Sequence, residues 1–318
     1  MAATADIRLS ELIKDKTTAL GFDLCGIARV RKLSECKEVL TKWCADGLND
    51  KMTYLTRDPE KRADPELLFH GAKSMIVTGL NYYTDKRQKN PDVPLVSIYA
   101  LGKDYHDLIV ERLEKLLSYI KSLVPEADGM ALCDDAPVLE KPWAVEAGLG
   151  WRGKHSIVIN DSIGSFFFIG VLILNIELEY DKPQIRDKCG NCSACIDSCP
   201  TGAINSDRTI DARRCIANLT IGNRGPVPEE IIPLMGKKVY SCDICQDVCP
   251  WNENAKPHSV PEFMISDELA NMTREEWRLM DKEKFDSLFT GTPVERVKFD
   301  RLKRNIEAIS KNLEERRF

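Results

Sequence analysis

The sequence predicts an α+β fold in three consecutive segments, residues 1–180, 181–255 and 256–318, and three observations carry that prediction. Up to about residue 180, short apolar β-rich runs alternate with amphipathic helical stripes. From Cys189 to Pro250, eight of the twelve cysteines gather in two runs that each end in Cys-Pro. Beyond Pro250 the chain turns polar and helical.

Taken in order, residues 6–20 place Ile7, Leu9, Leu12, Ile13 and Leu20 ahead of Gly21, the pattern of an amphipathic helix with a glycine stop. Residues 22–28 read as a strand and 37–43 as a helix. The stretch 52–68 is polar and basic, with Arg57, Lys61 and Arg62 among turn residues. Residues 75–80 and 95–100 read as buried strands, separated by a charged, proline-bounded loop at 85–94. Leu108, Ile109, Leu113, Leu116, Leu117, Ile120 and Val124 form one helical stripe, with Glu111 and Lys115 paired four apart on the wet face. A strand follows at 130–133. Residues 156–159 and 165–176 read as a hairpin through 160–164.

Of 318 residues, 43% are apolar, which is ordinary for a globular chain, and the formal net charge is −5. That charge gives no overall bias toward nucleic acid, so any such contact must be a local patch. The longest apolar run, residues 166–176, is too short for a membrane span of about 20 residues. No secretory signal opens the sequence, so the expectation is a soluble cytoplasmic protein with reduced thiols and no membrane contact.

The first cysteine run is Cys189-x2-Cys192-x2-Cys195-x3-Cys199-Pro200. This spacing caps one [4Fe–4S] cube with three thiolates from a tight loop and sends the fourth to a second cube, as in a bacterial two-cluster ferredoxin. The second run repeats it with the first ligand displaced, Cys215 standing upstream of Cys242-x2-Cys245-x3-Cys249-Pro250. The crossover assigns Cys189, Cys192, Cys195 and Cys249 to one cluster and Cys199, Cys215, Cys242 and Cys245 to the other. Disulfides are disfavoured by the reduced compartment, and zinc by the two proline-terminated runs. Cys25, Cys36, Cys44 and Cys133 remain as small apolar residues. The motif implies electron transfer and leaves the substrate open.

Gly148-x-Gly150-x2-Gly153 matches a dinucleotide fingerprint in letters only. A helix-like segment (138–147) precedes it, a β-rich run follows, and no acid lies between Asp161 and Glu177. These glycines are expected to let a loop backbone approach something closely. Asp134 and Asp135 end the 130–133 strand ahead of Ala136-Pro137. Spacing alone favours Asp135 as a helix N-cap with proline at N1. It leaves Asp134 beside a second carboxylate, which raises its pKa toward general-acid use. The segment from Ser97 to His106 joins a strand to the long helix and carries Tyr99, Lys103, Asp104 and Tyr105. Its bland reading has Asp104 capping that helix and His106 solvated.

Several stretches together resemble the epoxyqueuosine reductases. They are Tyr99-Ala-Leu-Gly-Lys-Asp-Tyr-His106, Asp134-Asp-Ala-Pro-Val-Leu-Glu140, Ala147-Gly-Leu-Gly-Trp-Arg-Gly-Lys-His-Ser156, and Asp211-Ala-Arg-Arg-Cys-Ile216 with Leu219-Thr-Ile221. The second cysteine run, continuing as Cys249-Pro-Trp-Asn252, matches as well, so the resemblance spans roughly residues 10–255. It implies an N-terminal domain like that of the reductive dehalogenases, holding cobalamin base-off, with electrons fed to it through the two-cluster ferredoxin-like domain. The implied reaction reduces epoxyqueuosine to queuosine at the wobble position of a tRNA with a GUN anticodon. An external electron donor would serve it, and the chain would act as a monomer. The resemblance places the general acid on Asp134, against the preference from spacing. It places cobalamin contacts on Arg57, Ser97, Tyr99, Asp104, His106, Lys154 and His155.

Many members carry a C-terminal helical-repeat domain that helps grip tRNA, and the sequence is expected to lack one. Residues 291–305 look like a family element, with Asp300-Arg301 in place of a glycine-containing turn. The candidate phosphate contacts are Lys237, Lys238, Arg296, Lys298, Arg301, Lys303 and Arg304. A basic run like 296–304 is more often just a solvated helix face.

Two other functions compete. A dehalogenase of small organohalides would be expected to carry a twin-arginine leader, and residues 1–20 contain none. A two-cluster electron carrier would not need about 180 residues ahead of its first cluster.

Overall fold

The computed structural model describes the backbone of residues 2–315 and the side chains from Arg8 onward. They form two compact units, each assembled from separate stretches of sequence. The first comprises the chain up to Asp46, Tyr54–Asn81 and Tyr105–Cys192; the second comprises Gly47–Thr53, Tyr82–Asp104 and the chain from Ser193 on. The three contiguous segments expected from the sequence therefore do not describe it. Residues 256–318 belong with the cysteines from Cys195 on, two earlier stretches join them, and Cys189 and Cys192 fall in the first unit.

The first unit is framed by a four-stranded antiparallel sheet in the order Leu24–Arg29, Ser74–Asn81, Phe167–Leu174, Gly129–Leu132. All of Ser74–Asn81 is buried, because both faces of this inner strand are covered. On one face Trp143 and Ala144 of the Glu140–Glu146 helix pack with Met75, Val77, Val171 and Ile173. On the other, the Tyr105–Leu123 helix lays Ile109 over Gly170, where a Cβ would come within 2.6 Å of it. Burying each such aliphatic side chain contributes about 1.5–3 kcal/mol. The ends of these elements are thus fixed points, and the segment 133–139 hangs between two of them. No helix among the described residues is long and apolar enough to cross a membrane.

The helices Ala2–Ala19, Ser34–Ala45 and Tyr105–Leu123 form where the apolar periodicity puts them. Three expectations fail. Only Leu95–Val96 of the 95–100 run forms a strand, parallel to Lys238–Tyr240; Ile98–Ala100 is a 3₁₀ turn, because the Ile98 N–H turns aside to the Asp243 carboxylate at 3.0 Å. The hairpin at 156–176 forms only at its tip, where Asn160 and Gly164 make an antiparallel bridge. Val158–Ile159 pairs with Trp151–Arg152, and Phe167–Leu174 takes a central place in the sheet. Asn160 closes that turn on itself, its Oδ1 accepting the N–H groups of Ser162 and Ile163 at 2.8 and 3.2 Å. Finally, the helix expected to start behind Asp135 starts at Glu140, so neither Asp135 nor Pro137 caps it.

In the second unit the Lys298–Glu314 helix packs on the Lys238–Tyr240 strand and on the helices Ile216–Ile221, Ile232–Met235 and Arg274–Arg278. Fully buried Asn305 donates from Nδ2 to the carbonyls of Thr220 and Val239 at 2.9 and 2.8 Å. Asn312 does the same for Ile232 and Gly236. A short helix leaves its last carbonyls without intrahelical donors, and here side chains of another helix supply them.

Candidate active site and cysteine runs

Asp134 follows the Gly129–Leu132 strand after one residue and sits in the left-handed region at φ 56°. Aspartate is among the few residues that tolerate that conformation. Its N–H donates to Glu140 Oε1 at 2.6 Å. Tyr105 Oη donates to Asp134 Oδ2 at 2.8 Å, and His106 Nε2 lies 3.7 Å from the same oxygen. The Tyr105 ring is held flat between His106 and Phe168, with centroids 4.1 and 3.9 Å away. The bland reading of His106 is therefore wrong: its side chain is 11% exposed and faces the carboxylate.

The proton balance of this group reverses the expectation from sequence. Burial would raise the Asp134 carboxyl, but its side chain is still 64% exposed. The nearby His106 ring and the hydrogen bond from Tyr105 outweigh that penalty and hold it below the usual carboxylate range. Glu140 moves the other way. Burial first, then the negative charge of Asp134, push its carboxyl up to about 8. Of the two acids, Glu140 is the one that keeps its proton at neutral pH. Nothing in the composition of 134–140 signalled this role for Glu140, although it ends a stretch that the sequence singled out.

His155 is 3% exposed, and its Nδ1 accepts the Ile157 N–H at 3.2 Å. Burial, reinforced by the charge of Lys141, lowers its pKa to about 4, so the ring is neutral and carries its proton on Nε2. No described residue accepts from that Nε2. The Gly148–Gly153 segment makes room here: a Cβ on Gly153 would lie 2.9 Å from the His155 ring, and one on Gly150 would lie 2.0 Å from the Ile159 carbonyl oxygen. The close approach expected of these glycines is to the protein itself. Arg57 is exposed and has no side-chain partner among the described residues.

Other expected contacts are committed elsewhere. Lys154 donates from Nζ to the carbonyls of Gly190 and Cys192, both at 2.8 Å, and clamps the turn that carries the first two cysteines. In the second unit, Ser97 Oγ donates to Asp243; the Tyr99 ring lies 6.4 Å from Tyr82 and 6.0 Å from Tyr240; Asp104 pairs with Arg296 at 2.8 Å. The Ser97 hydroxyl proton and Asp104 Oδ2 are thus engaged within that unit.

None of the twelve cysteines is in a disulfide. Within the second unit the helices Ala194–Asp197 and Ile244–Asp247, which carry Cys195 and Cys245, pack against each other. The Ala203 N–H points at Cys199 Sγ from 3.3 Å, the kind of amide-to-sulfur contact that steadies a cluster thiolate. Burial drives the Cys242 thiol up to about 12. Cys245 is driven far up as well, by burial first and then by Cys242, Cys215, Asp243 and Cys195 around it. Iron bound here would supply the positive charge that offsets this burial. Among the described residues no three such side chains converge to hold a single ion. A cube does not require it, since each thiolate meets a different iron.

The expected phosphate contacts divide. Arg301 donates to the carbonyls of Ile221, Val297 and Arg296 at 2.7, 2.7 and 2.9 Å. Arg304 donates to Leu219 and Asn223 carbonyls at 3.0 and 2.9 Å, and to that of Gly225. Lys303 binds the carbonyls of Arg278 and Met280, and Lys237 that of Pro91. Arg296 pairs with Asp104 and stays 54% exposed, while the other four each hold backbone carbonyls of the protein. Lys238 and Lys298 make no such contact among the described residues.

Residues 188–252 match the family model described as 4Fe-4S double cluster binding domain, and residues 62–135 that described as Epoxyqueuosine reductase QueG, DUF1730. The epoxyqueuosine reductase of Cellulophaga algicola is 41% identical over 94% of this chain and 97% of its own. That of Escherichia coli K12 is 39% identical over 94% and 80%. Among solved structures, an epoxyqueuosine reductase with an epoxyqueuosine-modified tRNA-Tyr stem loop is 28% identical, with a TM-score of 0.86, covering 96% of this chain and 82% of that one. The Bacillus subtilis epoxyqueuosine reductase, solved with its catalytic loop swung out of the active site, is 27% identical, with a TM-score of 0.87 over 96% and 82%.

Proposed function

The chain belongs to the epoxyqueuosine reductase family and is an oxidoreductase, and from that premise we propose that it reduces epoxyqueuosine to queuosine at the wobble position of tRNA, with Asp134 delivering a proton. The observation that carries this reading is near-full-length identity of about 40% to enzymes of that name. The solved relative with a modified tRNA stem loop supports tRNA as the substrate.

Turning an epoxide into an alkene consumes two electrons and two protons and releases the oxygen as water. In this reading the eight cysteines hold two [4Fe–4S] clusters in the crossed sets given by their spacing, charged by an external donor. Cobalamin, bound base-off, would supply the two-electron reductant at the epoxide. His155 fits such a group, because a buried neutral ring with an unaccepted Nε2–H asks for an acceptor from outside the chain. Arg57 is a second open donor. As the epoxide opens, its oxygen gathers negative charge and needs a proton donor within hydrogen-bond reach. Asp134 is ionised in the unliganded protein. Substrate that displaces water strengthens the burial penalty and makes Asp134 an acid, its proton arriving at Oδ2 from His106 Nε2 or Tyr105 Oη.

The test is anaerobic turnover of cluster-reconstituted protein with epoxyqueuosine-containing tRNA and a strong reductant. Queuosine is expected only when cobalamin is added. Cobalamin uptake without queuosine, or turnover of organohalides instead, would overturn the substrate; failure to take up cobalamin would leave a two-cluster electron carrier.

The grip on tRNA rests in this reading on Lys238 and Lys298. Replacing both by Ala is expected to flatten the plot of log Kd against log salt by about 1.4–1.8, at roughly 0.7–0.9 per lost phosphate contact. Arg304→Ala should leave that slope unchanged and cost about 2–3 kcal/mol of stability, because it removes charged donors from three carbonyls. A lower slope in Arg304→Ala, measured by filter binding across a salt series, would return that residue to the phosphate contacts.

A further inference from the structure

Asp134 holds a backbone conformation that costs an L-residue energy, and such conformations persist only where the surroundings over-determine them. Two sets of contacts do so here. Tyr105 and His106 take the carboxylate, and Glu140 takes the backbone N–H. The Glu140 contact differs in kind. The contacts to the carboxylate disappear if that oxygen turns to a substrate, whereas the N–H bond leaves both carboxylate oxygens free.

We propose that Glu140 is the positioning residue of the Asp134 loop: its carboxyl latches the Asp134 N–H and thereby fixes where Asp134 Oδ2 points. The proposal rests on the reading that Asp134 delivers the proton. Glu140 is suited to the task because its own backbone is anchored by packing. It opens the Glu140–Glu146 helix, whose Trp143 and Ala144 are fully buried against the sheet. The latch therefore ties a strained loop residue to a rigid element, spanning residues 134–140 with no regular structure before the helix begins. With the N–H held at 2.6 Å, the Cα–Cβ bond of Asp134 has one direction, toward Tyr105 and His106. Without it, the 134–139 turn is free to relax out of the left-handed conformation and carry the carboxylate with it. Since burial and Asp134 keep Glu140 largely protonated at neutral pH, glutamine is a close mimic of the latch as it stands.

The experiment compares wild type, Glu140→Ala and Glu140→Gln as full chains carrying their clusters. It reads hydrogen–deuterium exchange of the peptide covering residues 130–139, and kcat and KM with the tRNA substrate. Iron content and circular dichroism show that each variant is folded. Glu140→Ala is expected to speed exchange of that peptide about tenfold, the loss of one hydrogen bond. It should lower kcat about 10²-fold, as a misplaced catalytic group does, with KM within about twofold. Glu140→Gln is expected to recover most of both losses.

Unchanged exchange in Glu140→Ala overturns the latch. Faster exchange with unchanged kcat reduces the bond to a structural role and overturns positioning. A Glu140→Gln as slow as Glu140→Ala, with wild-type exchange, overturns it too, because the carboxyl would then be needed for its proton. Failure of the Asp134 reading is separable: it shows as full activity of an Asp134 variant, while exchange still judges the latch.

Discussion

Asp134→Asn is expected to lose about 10²–10⁴-fold in turnover while keeping its clusters and its capacity for cobalamin, the range that general acid catalysis supplies. Asparagine is the right probe because it removes the titrating oxygen and little else. It tolerates the left-handed conformation at φ 56° as well as aspartate does, so the backbone need not move. Its amide oxygen still accepts from Tyr105 Oη, and its N–H still bonds Glu140. What it lacks is a proton to give. The loss should therefore fall on kcat, and should be the same when the tRNA is saturating. Single-turnover quenching of anaerobic reactions, with queuosine quantified by mass spectrometry of digested tRNA, measures it. Full activity would remove Asp134 from the mechanism and move attention to His106 and Tyr105, the other proton-bearing groups beside it.

The sequence exposes those parts of this site that are set by neighbours along the chain. A cluster loop is such a part, because three thiolates within seven residues must meet one cube, and the spacing from Cys189 to Cys195 carries that information locally. The inner strands are legible for a similar reason: a strand covered on both faces is apolar at every position. The surroundings of Asp134 are not local. Tyr105 and His106 come from the start of a helix about 30 residues upstream, and only the sheet brings them to the carboxylate. Glu140 is close in sequence but belongs to no period; its approach depends on the turn of Asp134 into the left-handed region, and the one available hint was an aspartate where that turn is tolerated. The basic run 296–304 depends on distant partners as well. Its charge is plain in the sequence, but the carbonyl ends that absorb Arg301 and Arg304 come from a helix some 80 residues earlier. Charge patterning shows that a cation is present and is silent on whether the protein has already used it.

Cys215 is the ligand that spacing supports least, because it stands 27 residues from the next cysteine of its set, and its replacement should be among the most damaging single changes in the chain. Burial is the main cause that raises the Cys242 and Cys245 thiols, and the charge of Cys215 adds to it in both. Cys215 lies at the entrance of the Ile216–Ile221 helix, whose far end is tied down by Arg301 and Arg304. Cys215→Ala is therefore expected to halve the iron, from about eight to about four per chain, as one of two [4Fe–4S] cubes fails to assemble. Turnover should fall by more than ~10²-fold, since even outer-shell changes at metal sites cost 10–100-fold. Cys44→Ala, in the Ser34–Ala45 helix, makes the control and should keep its iron. Colorimetric iron and the electron paramagnetic resonance spectrum of the reduced protein read the outcome together, because the spectrum of two coupled clusters should simplify to that of one. If Cys215→Ala instead holds about eight irons, another residue completes the second cube. The crossed assignment drawn from the spacing then fails, although the double-cluster reading survives.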